Sequence, residues 1–162
     1  KSSTFKLTSS AFKDGGLIPE KYTCDGSKAS PTLKISGIPK GAKELVLFLD
    51  DLDGTPTATN TTTDWNHWVV TNISVKGGPR GTFRNYRIPT GAKEGLNDSG
   101  DSKYEPICPP GEKGDREKHN YQFTLYAIDK KITNNSSTRA KVVTAIDGAI
   151  LAKKTLKGYF GD

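Results

Sequence analysis

The amino-acid sequence predicts one β-rich domain of the α+β class spanning residues 1–162. Three observations lead to this prediction. The 162 residues include 17 Gly and 9 Pro, and such turn-forming residues are abundant where many short strands are joined by loops. Apolar runs of strand length recur along the chain, and only the C-terminal part shows helical spacing. A chain of this length buries roughly 70% of its unfolded surface in one core, so two domains are not expected.

Three apolar runs are the strongest strand candidates. Residues 44–50, ELVLFLD, are apolar almost without interruption, which is typical of a central strand covered on both faces. Residues 67–73 and 121–128 are rich in aromatic and β-branched side chains, which favour strands. Long connections over 51–66 and 89–118 separate them, and loops of this length are usually functional. Weaker patterns predict further strands at 4–9, 31–36 and 82–88.

The C-terminal segment predicts a helix over 139–157 that packs against the β domain. Val142, Ile146 and Ile150 recur at helical spacing, and lysines gather towards the predicted C-terminal end, where the helix dipole favours them. Gly158 would cap this end. Gly148 would then lie inside the helix, at a cost of up to about 1 kcal/mol relative to alanine.

Charge and hydropathy exclude some classes of partner. The formal charge is +6, and basic and acidic residues alternate along the chain. A basic block and an RNA-binding aromatic signature are both lacking, so we expect no nucleic-acid partner. The basic surface would attract anionic membranes or phosphorylated partners. No run reaches the roughly 20 apolar residues of a transmembrane segment. The chain begins with Lys1 rather than Met, which slightly favours a secreted or periplasmic location through loss of a leader.

The two histidines of the chain both stand at the entrance of a predicted strand. If strands 44–50 and 67–73 are antiparallel neighbours, Asp51 at the end of the first lies beside His67 at the start of the second. Asp53 would project to the same side if the chain stays extended. His119 and Tyr121 are two residues apart, so in a strand their side chains point to the same face of the sheet. They would lie near Asp51 and His67 if their strand begins at the same end of the sheet.

This set of side chains predicts a small pocket that presents hydrogen-bond donors to an anion such as phosphate. Imidazole and phenol groups donate, and a carboxylate beside a histidine fixes its tautomer and favours its charged form. Binding should therefore strengthen as the pH falls. Three alternatives stay open: strand-edge histidines without function, a two-His, one-carboxylate iron site, and a hydrolase. For a hydrolase, the sequence has no G-x-S-x-G nucleophile elbow, although Cys108 near a histidine could act as a nucleophile.

Several segments together resemble the phosphatidylethanolamine-binding protein family, which includes the Raf kinase inhibitor proteins, and in particular its bacterial and archaeal branch. They are DDLDGT, DWNHWVVTNI, CPPGEKG…HNYQFTLYAID, GAILAKKTLKGYFG and IPEKYTCDG…SPTLKISGIP. They occur in the family's order over nearly the whole chain. The resemblance implies a large central antiparallel sheet, a smaller second sheet and peripheral helices that include a C-terminal one.

The resemblance also implies a function and a set of ligand-binding residues. It implies a non-catalytic regulatory protein without cofactor or metal, which binds phosphate, a phospholipid headgroup or a carboxylate. A kinase or serine protease would be the inhibited partner, and a homodimer the assembly. A disulfide between Cys24 and Cys108 is a further hypothesis, because relatives often carry both. Leu52 and Asn120 depart from the family's Pro and Arg. The family's ligand-binding positions correspond to Asp51, Asp53, Trp65, His67, Cys108, Pro109, Pro110, His119 and Tyr121.

Overall fold

Two β-sheets and one short α-helix make up the part of the chain that the computed structural model describes, residues 5–54, 64–75, 82–83, 89, 91–133 and 137–161. The β class predicted from the sequence is confirmed. The strands are β1 (Lys6–Ser9), β2 (Gly16–Leu17), β3 (Leu33–Ser36), β4 (Glu44–Asp51), β5 (Trp65–Ser74), β6 (Thr82–Phe83), β7 (Lys93–Glu94), β8 (His119–Ile128) and β9 (Ile150–Phe160). The helix is α1 (Arg139–Ile146), and a 3₁₀ turn spans Glu20–Tyr22.

The larger sheet has six strands in the order β2-β9-β8-β4-β5-β7, and the smaller has three in the order β1-β3-β6. All neighbours are antiparallel except β2 and β9, which run parallel. The predicted central antiparallel sheet is therefore confirmed for the five strands β9, β8, β4, β5 and β7. Strand β2 makes the sheet mixed at one edge.

Strand β4 lies at the centre of the molecule. All eight of its residues are buried, as the unbroken apolar run predicts. Leu45, Leu47 and Leu49 point into the cluster that the smaller sheet helps to form. Val46 and Phe48 point to the opposite face, where Val142 and Ile146 of α1 cover them. A strand that is covered on both faces is a rigid support for whatever follows its end.

The predicted C-terminal helix is wrong beyond Ile146. The helix stops there, Gly148 adopts a left-handed φ of 79°, and the chain continues as strand β9. Leu156 and Phe160 are buried with the period of a strand. Gly158 is not a helix cap, because it lies in β9 where a Cβ atom would come within 2.7 Å of Ile18 Cγ1.

The other strand predictions are confirmed where the structure describes them. The three strong candidates are β4, β5 and β8, of which β5 and β8 each begin two residues earlier than predicted. Candidates 4–9 and 31–36 contain β1 and β3. In candidate 82–88 only β6 is described, and residues 84–88 lie outside the described part, as do residues 55–63 of the first long connection. No helix of the described residues is long and apolar enough to span a membrane.

Candidate anion-binding site

The register of three strands brings the predicted site residues to one end of the larger sheet. Asp51, the last residue of β4, is paired with Trp65 at the start of β5 and with Tyr121 near the start of β8. His67 lies two residues after Trp65, and His119 lies two residues before Tyr121. The antiparallel arrangement assumed from the sequence is therefore the observed one, and both strands enter at this end.

Asp51 and His119 form a buried carboxylate–imidazole pair. Asp51 Oδ2 and His119 Nδ1 are 2.8 Å apart, and the two residues are only 6% and 7% exposed. The carboxylate accepts, so Nδ1 carries a proton. Nε2 makes no hydrogen bond to the described residues and is available to a ligand, although the exposed carboxylate of Glu117 lies 3.6 Å from it. The other oxygen, Asp51 Oδ1, accepts the backbone N–H of Asp53 at 2.8 Å, which fixes the carboxylate in turn.

His67 is oriented by the protein backbone. Its Nδ1 lies 2.8 Å from the carbonyl oxygen of Glu105, which can only accept, so Nδ1 again carries the proton. The backbone N–H of Glu105 donates to the carbonyl oxygen of His67 at 3.0 Å, so the loop is paired with the start of β5. The side chain is 6% exposed. Both histidines therefore share one tautomer and keep Nε2 for a ligand.

Tyr121 lies between the two imidazoles. Its ring meets His67 edge-to-face with 5.6 Å between centroids and His119 with 6.5 Å. The hydroxyl is buried and has no hydrogen-bond partner among the described residues. Burial, reinforced by the negative charge of Asp51, raises the pKa of the Tyr121 phenol. The hydroxyl consequently stays protonated and remains an unused donor.

Trp65 is held at the site by the same loop that orients His67. Its Nε1 donates to Glu105 Oε1 at 2.7 Å. Glu105 Oε2 accepts a hydrogen bond from Ser99, so both carboxylate oxygens have partners. The indole is half-buried and can present an apolar surface while its polar atom is satisfied.

A cavity of about 890 Å³ opens at this end of the sheet. Of the predicted site residues, six line it: Asp51, Trp65, His67, Cys108, Pro110 and His119. Pro109 and Tyr121 are buried behind the wall. Asp53 is not brought to the cavity, because its exposed carboxylate accepts the backbone and side-chain N–H groups of Asn120 at 2.7 and 3.0 Å.

Sequence reasoning missed several residues of the wall. Glu94 and Glu105 line the cavity, as do Lys28, Lys103 and Tyr104. All of them lie outside the three strong strand candidates, so hydrophobic periodicity carried no signal for them. Burial raises the pKa of Glu94, whose Oε2 accepts from Trp68 Nε1 at 2.8 Å. The wall therefore combines carboxyl groups with two exposed lysines.

The predicted disulfide is present, and it forms part of the cavity wall. Cys24 and Cys108 are bonded, with their Cα atoms 5.4 Å apart and a separation of 84 positions in sequence, and both line the cavity. Beside the bond, Arg116 Nη2 and Nε lie 2.7 and 3.1 Å from the two carboxylate oxygens of Asp25. This ion pair lowers the pKa of Asp25. Cys108 has no thiol to act as a nucleophile while the disulfide is intact.

The alternative of an iron site finds no support in the geometry. Asp51 uses one oxygen on His119 and the other on the backbone N–H of Asp53. Among the described residues, no three His, Cys, Asp or Glu side chains are placed to hold a metal ion together.

Comparison with known proteins assigns the chain to a family. The family model described as phosphatidylethanolamine-binding protein matches residues 8–161. The chain belongs to the phosphatidylethanolamine-binding protein family. A UPF0098 protein of Methanothermobacter thermautotrophicus is 36% identical over 95% of this chain and 97% of its own length. A UPF0098 protein of Chlamydia trachomatis is 37% identical, covering 96% and 97%.

Solved structures of family members share the whole fold. A phosphatidylethanolamine-binding protein homologue from Chlamydia trachomatis superposes with a TM-score of 0.86 at 36% identity, covering 99% of both chains. Escherichia coli YbcL, described as a member of the mammalian family, superposes with a TM-score of 0.81 at 28% identity over 99% of both chains. The resemblance inferred from the sequence motifs is confirmed.

Proposed function

We propose that this family member is a non-catalytic binding protein that holds a phosphate-type anion between His67 and His119. One observation carries the proposal. Both imidazoles have Nδ1 tied to a fixed acceptor, both line the same cavity, and both therefore offer Nε2 to one ligand. Two preoriented nitrogens that need no rearrangement on binding suit a small, rigid, multivalent anion.

Protons take part in this binding. A neutral imidazole whose Nδ1 carries the proton has only a lone pair at Nε2, so it cannot donate to an anion. Either the histidines become imidazolium or the anion brings its own proton, as hydrogen phosphate does. In the first case binding takes up protons from solution, and in both cases affinity rises as the pH falls.

The remaining predicted residues shape the pocket in this proposal. The Tyr121 hydroxyl is buried behind the cavity wall, so it would reach the anion only if the wall in front of it shifts. Trp65 and Pro110 form an apolar wall that would accept the non-polar part of a phospholipid headgroup or a carboxylate. The family description, phosphatidylethanolamine-binding, names a ligand of this chemistry. The kinase or serine-protease partner and the homodimer implied by the family remain proposals. The disulfide favours an oxidising, secreted or periplasmic setting.

The wall offers little for hydrolysis. The described residues that line the cavity include no serine or threonine hydroxyl, and both cysteines are bonded to each other. The Asp51–His119 pair has the geometry of an oriented general base, so a hydrolase that activates water is the competing function.

Calorimetric titration tests the proposal. The wild-type chain, His67→Ala and His119→Ala would each be titrated with phosphate and with phosphoethanolamine in two buffers of different ionisation enthalpy. Each substitution should weaken binding by about 1.5–3 kcal/mol, the usual size for a hydrogen bond to a charged group. Net proton uptake by the wild type would show that the histidines bind as imidazolium, and its absence would show that the anion supplies the proton. Lys130→Ala removes a positive charge just beyond the opposite end of β8 and should bind like the wild type.

Two results would count against the proposal. Equal affinity in all four proteins would mean that the anion binds elsewhere. Steady turnover of a phosphoester or peptide that either histidine substitution abolishes would establish the hydrolase instead.

A further inference from the structure

Among the described residues, the long outer edge of strand β9 has a paired neighbour only at its C-terminal end. The strand has eleven residues, but its outer neighbour β2 pairs only with Gly158 and Tyr159. The preceding residue, Lys157, is also covered, because its N–H donates to Asp14 Oδ1 and its carbonyl accepts from the Gly15 N–H, each at 2.8 Å. Residues 150–156 therefore form a free edge as far as the described chain shows.

The hydrogen bonds of Lys157 fix which backbone groups point outward. Its N–H and C=O face β2, away from β8. Backbone groups alternate direction along a strand that is paired antiparallel, so Lys153 and Thr155 point outward as well. In the described part of the chain nothing is hydrogen-bonded to these outward groups. They form a ladder of two N–H donors and two C=O acceptors that is ready for another strand.

The side chains of this edge select the chemistry of the partner. Lys153, Lys154 and Lys157 are exposed, and the two hydrophobic residues at its start, Ile150 and Leu151, are 45% and 43% exposed. Edge lysines discourage pairing with another copy of the same strand, because self-pairing brings these like charges together. An extended segment that alternates acidic and apolar residues would neutralise the lysines and cover the apolar end.

We propose that the outer edge of β9 binds an extended acidic segment of a partner protein by adding it as a further strand. Main-chain hydrogen bonds to Lys153 and Thr155 would supply affinity. Lys153 and Lys157, whose side chains share one face of the strand, would supply charge selectivity. The start of β9 is paired with Ile128, at the far end of β8 from His119. The edge is therefore separate from the anion cavity, and both can be occupied at once.

Amide NMR of the complete chain tests the edge, with a blocked seven-residue peptide of alternating Glu and Val as the probe. The amides of Lys153 and Thr155 should shift on titration. Lys153→Pro removes one outward N–H without breaking a bond to β8. It should weaken binding by about tenfold, whereas Lys153→Ala, which keeps the N–H, should lose less. The matching peptide of alternating Lys and Val should not bind.

A second measurement does not depend on the proline variant folding. The Glu–Val peptide with every backbone amide N-methylated has no N–H donor on either edge, and it should not bind the wild-type chain. Binding of the methylated peptide with undiminished affinity would overturn the proposal. So would shifts confined to the residues around His67 and His119. The Lys153 and Thr155 amides should not shift when the concentration of the protein alone is raised. If they do, the edge binds a second copy of the chain and not an acidic partner, and the proposal is wrong.

Discussion

The two histidines of this chain owe their orientation to different acceptors. A side-chain carboxylate holds His119, whereas a backbone carbonyl holds His67. The sequence placed Asp51 at this end of the sheet, because it follows the apolar run of the central strand, but it predicted His67 as its neighbour, whereas the carboxylate bonds to His119. The partner of His67 could not be predicted, since Glu105 lies in a loop whose path depends on tertiary contacts. Asp53 was misplaced because the chain turns immediately after Asp51 instead of staying extended.

The Tyr121 hydroxyl gives a prediction at the scale of one residue. A buried donor without a partner costs about 1–3 kcal/mol, so Tyr121→Phe should leave the free energy of unfolding unchanged or raise it. If the anion uses this hydroxyl, the same substitution should weaken phosphate binding severalfold. Urea unfolding and calorimetry on the one variant measure both effects. Unchanged phosphate affinity would remove Tyr121 from the ligand set.

At the scale of elements, the strands with a continuous apolar or β-favouring pattern were predicted correctly. The prediction failed in the segment where the spacing of a helix is followed by the alternation of a strand. Strand β4 is apolar without interruption from Leu45 to Leu49, and only a buried central strand fits this run. In the segment from 139 to 157, the helical spacing of Val142 and Ile146 corresponds to the observed helix α1. The residues that follow belong to strand β9, in which buried and more exposed positions alternate towards the C-terminal end. Helical propensity of the lysine-rich stretch concealed the change. Pairing with β8 decides it, and that contact is not visible in local sequence.

Gly148 lies at the boundary between helix α1 and strand β9. Its substitution by alanine should change the free energy of unfolding in opposite directions for the predicted helix and for the observed structure. Inside a helix, Gly148→Ala would stabilise the protein by up to about 1 kcal/mol. At the observed φ of 79°, the alanine should instead destabilise it by about 1–2 kcal/mol. A Cβ at this position meets no atom within 4 Å, so backbone strain is the dominant effect. Urea unfolding measures the sign, and Gly148→Asn should cost less because Asn tolerates this conformation.

At the scale of the whole molecule, two links join distant parts of the chain beside the cavity. The Cys24–Cys108 disulfide and the Arg116–Asp25 ion pair both connect the segment after the 3₁₀ turn to the loop before β8. Neither segment has strong secondary structure of its own. These links therefore hold together a wall that the sheets alone do not define, which is why residues of this wall escaped prediction.

The ion pair predicts how global stability depends on pH. Arg116 lowers the pKa of Asp25 in the folded state, so its stabilising effect is fully present above the unfolded value of about 3.9 and is lost as the pH falls through the lower folded value. Asp25→Asn should therefore be less stable than the wild type at neutral pH, and the difference should shrink in acid. Thermal unfolding of both proteins across this range measures it. A difference that stays constant down to the lowest pH would contradict the assignment.

The claim that one anion binds between the two histidines is tested most directly by a crystal structure of the protein soaked in phosphate. The proposed function predicts density for a phosphate in the cavity of about 890 Å³, with oxygen atoms about 2.7–2.9 Å from Nε2 of both His67 and His119, the range for charge-assisted hydrogen bonds. An ordered phosphate only at other positions, with water on both Nε2 atoms at saturating phosphate, would contradict it.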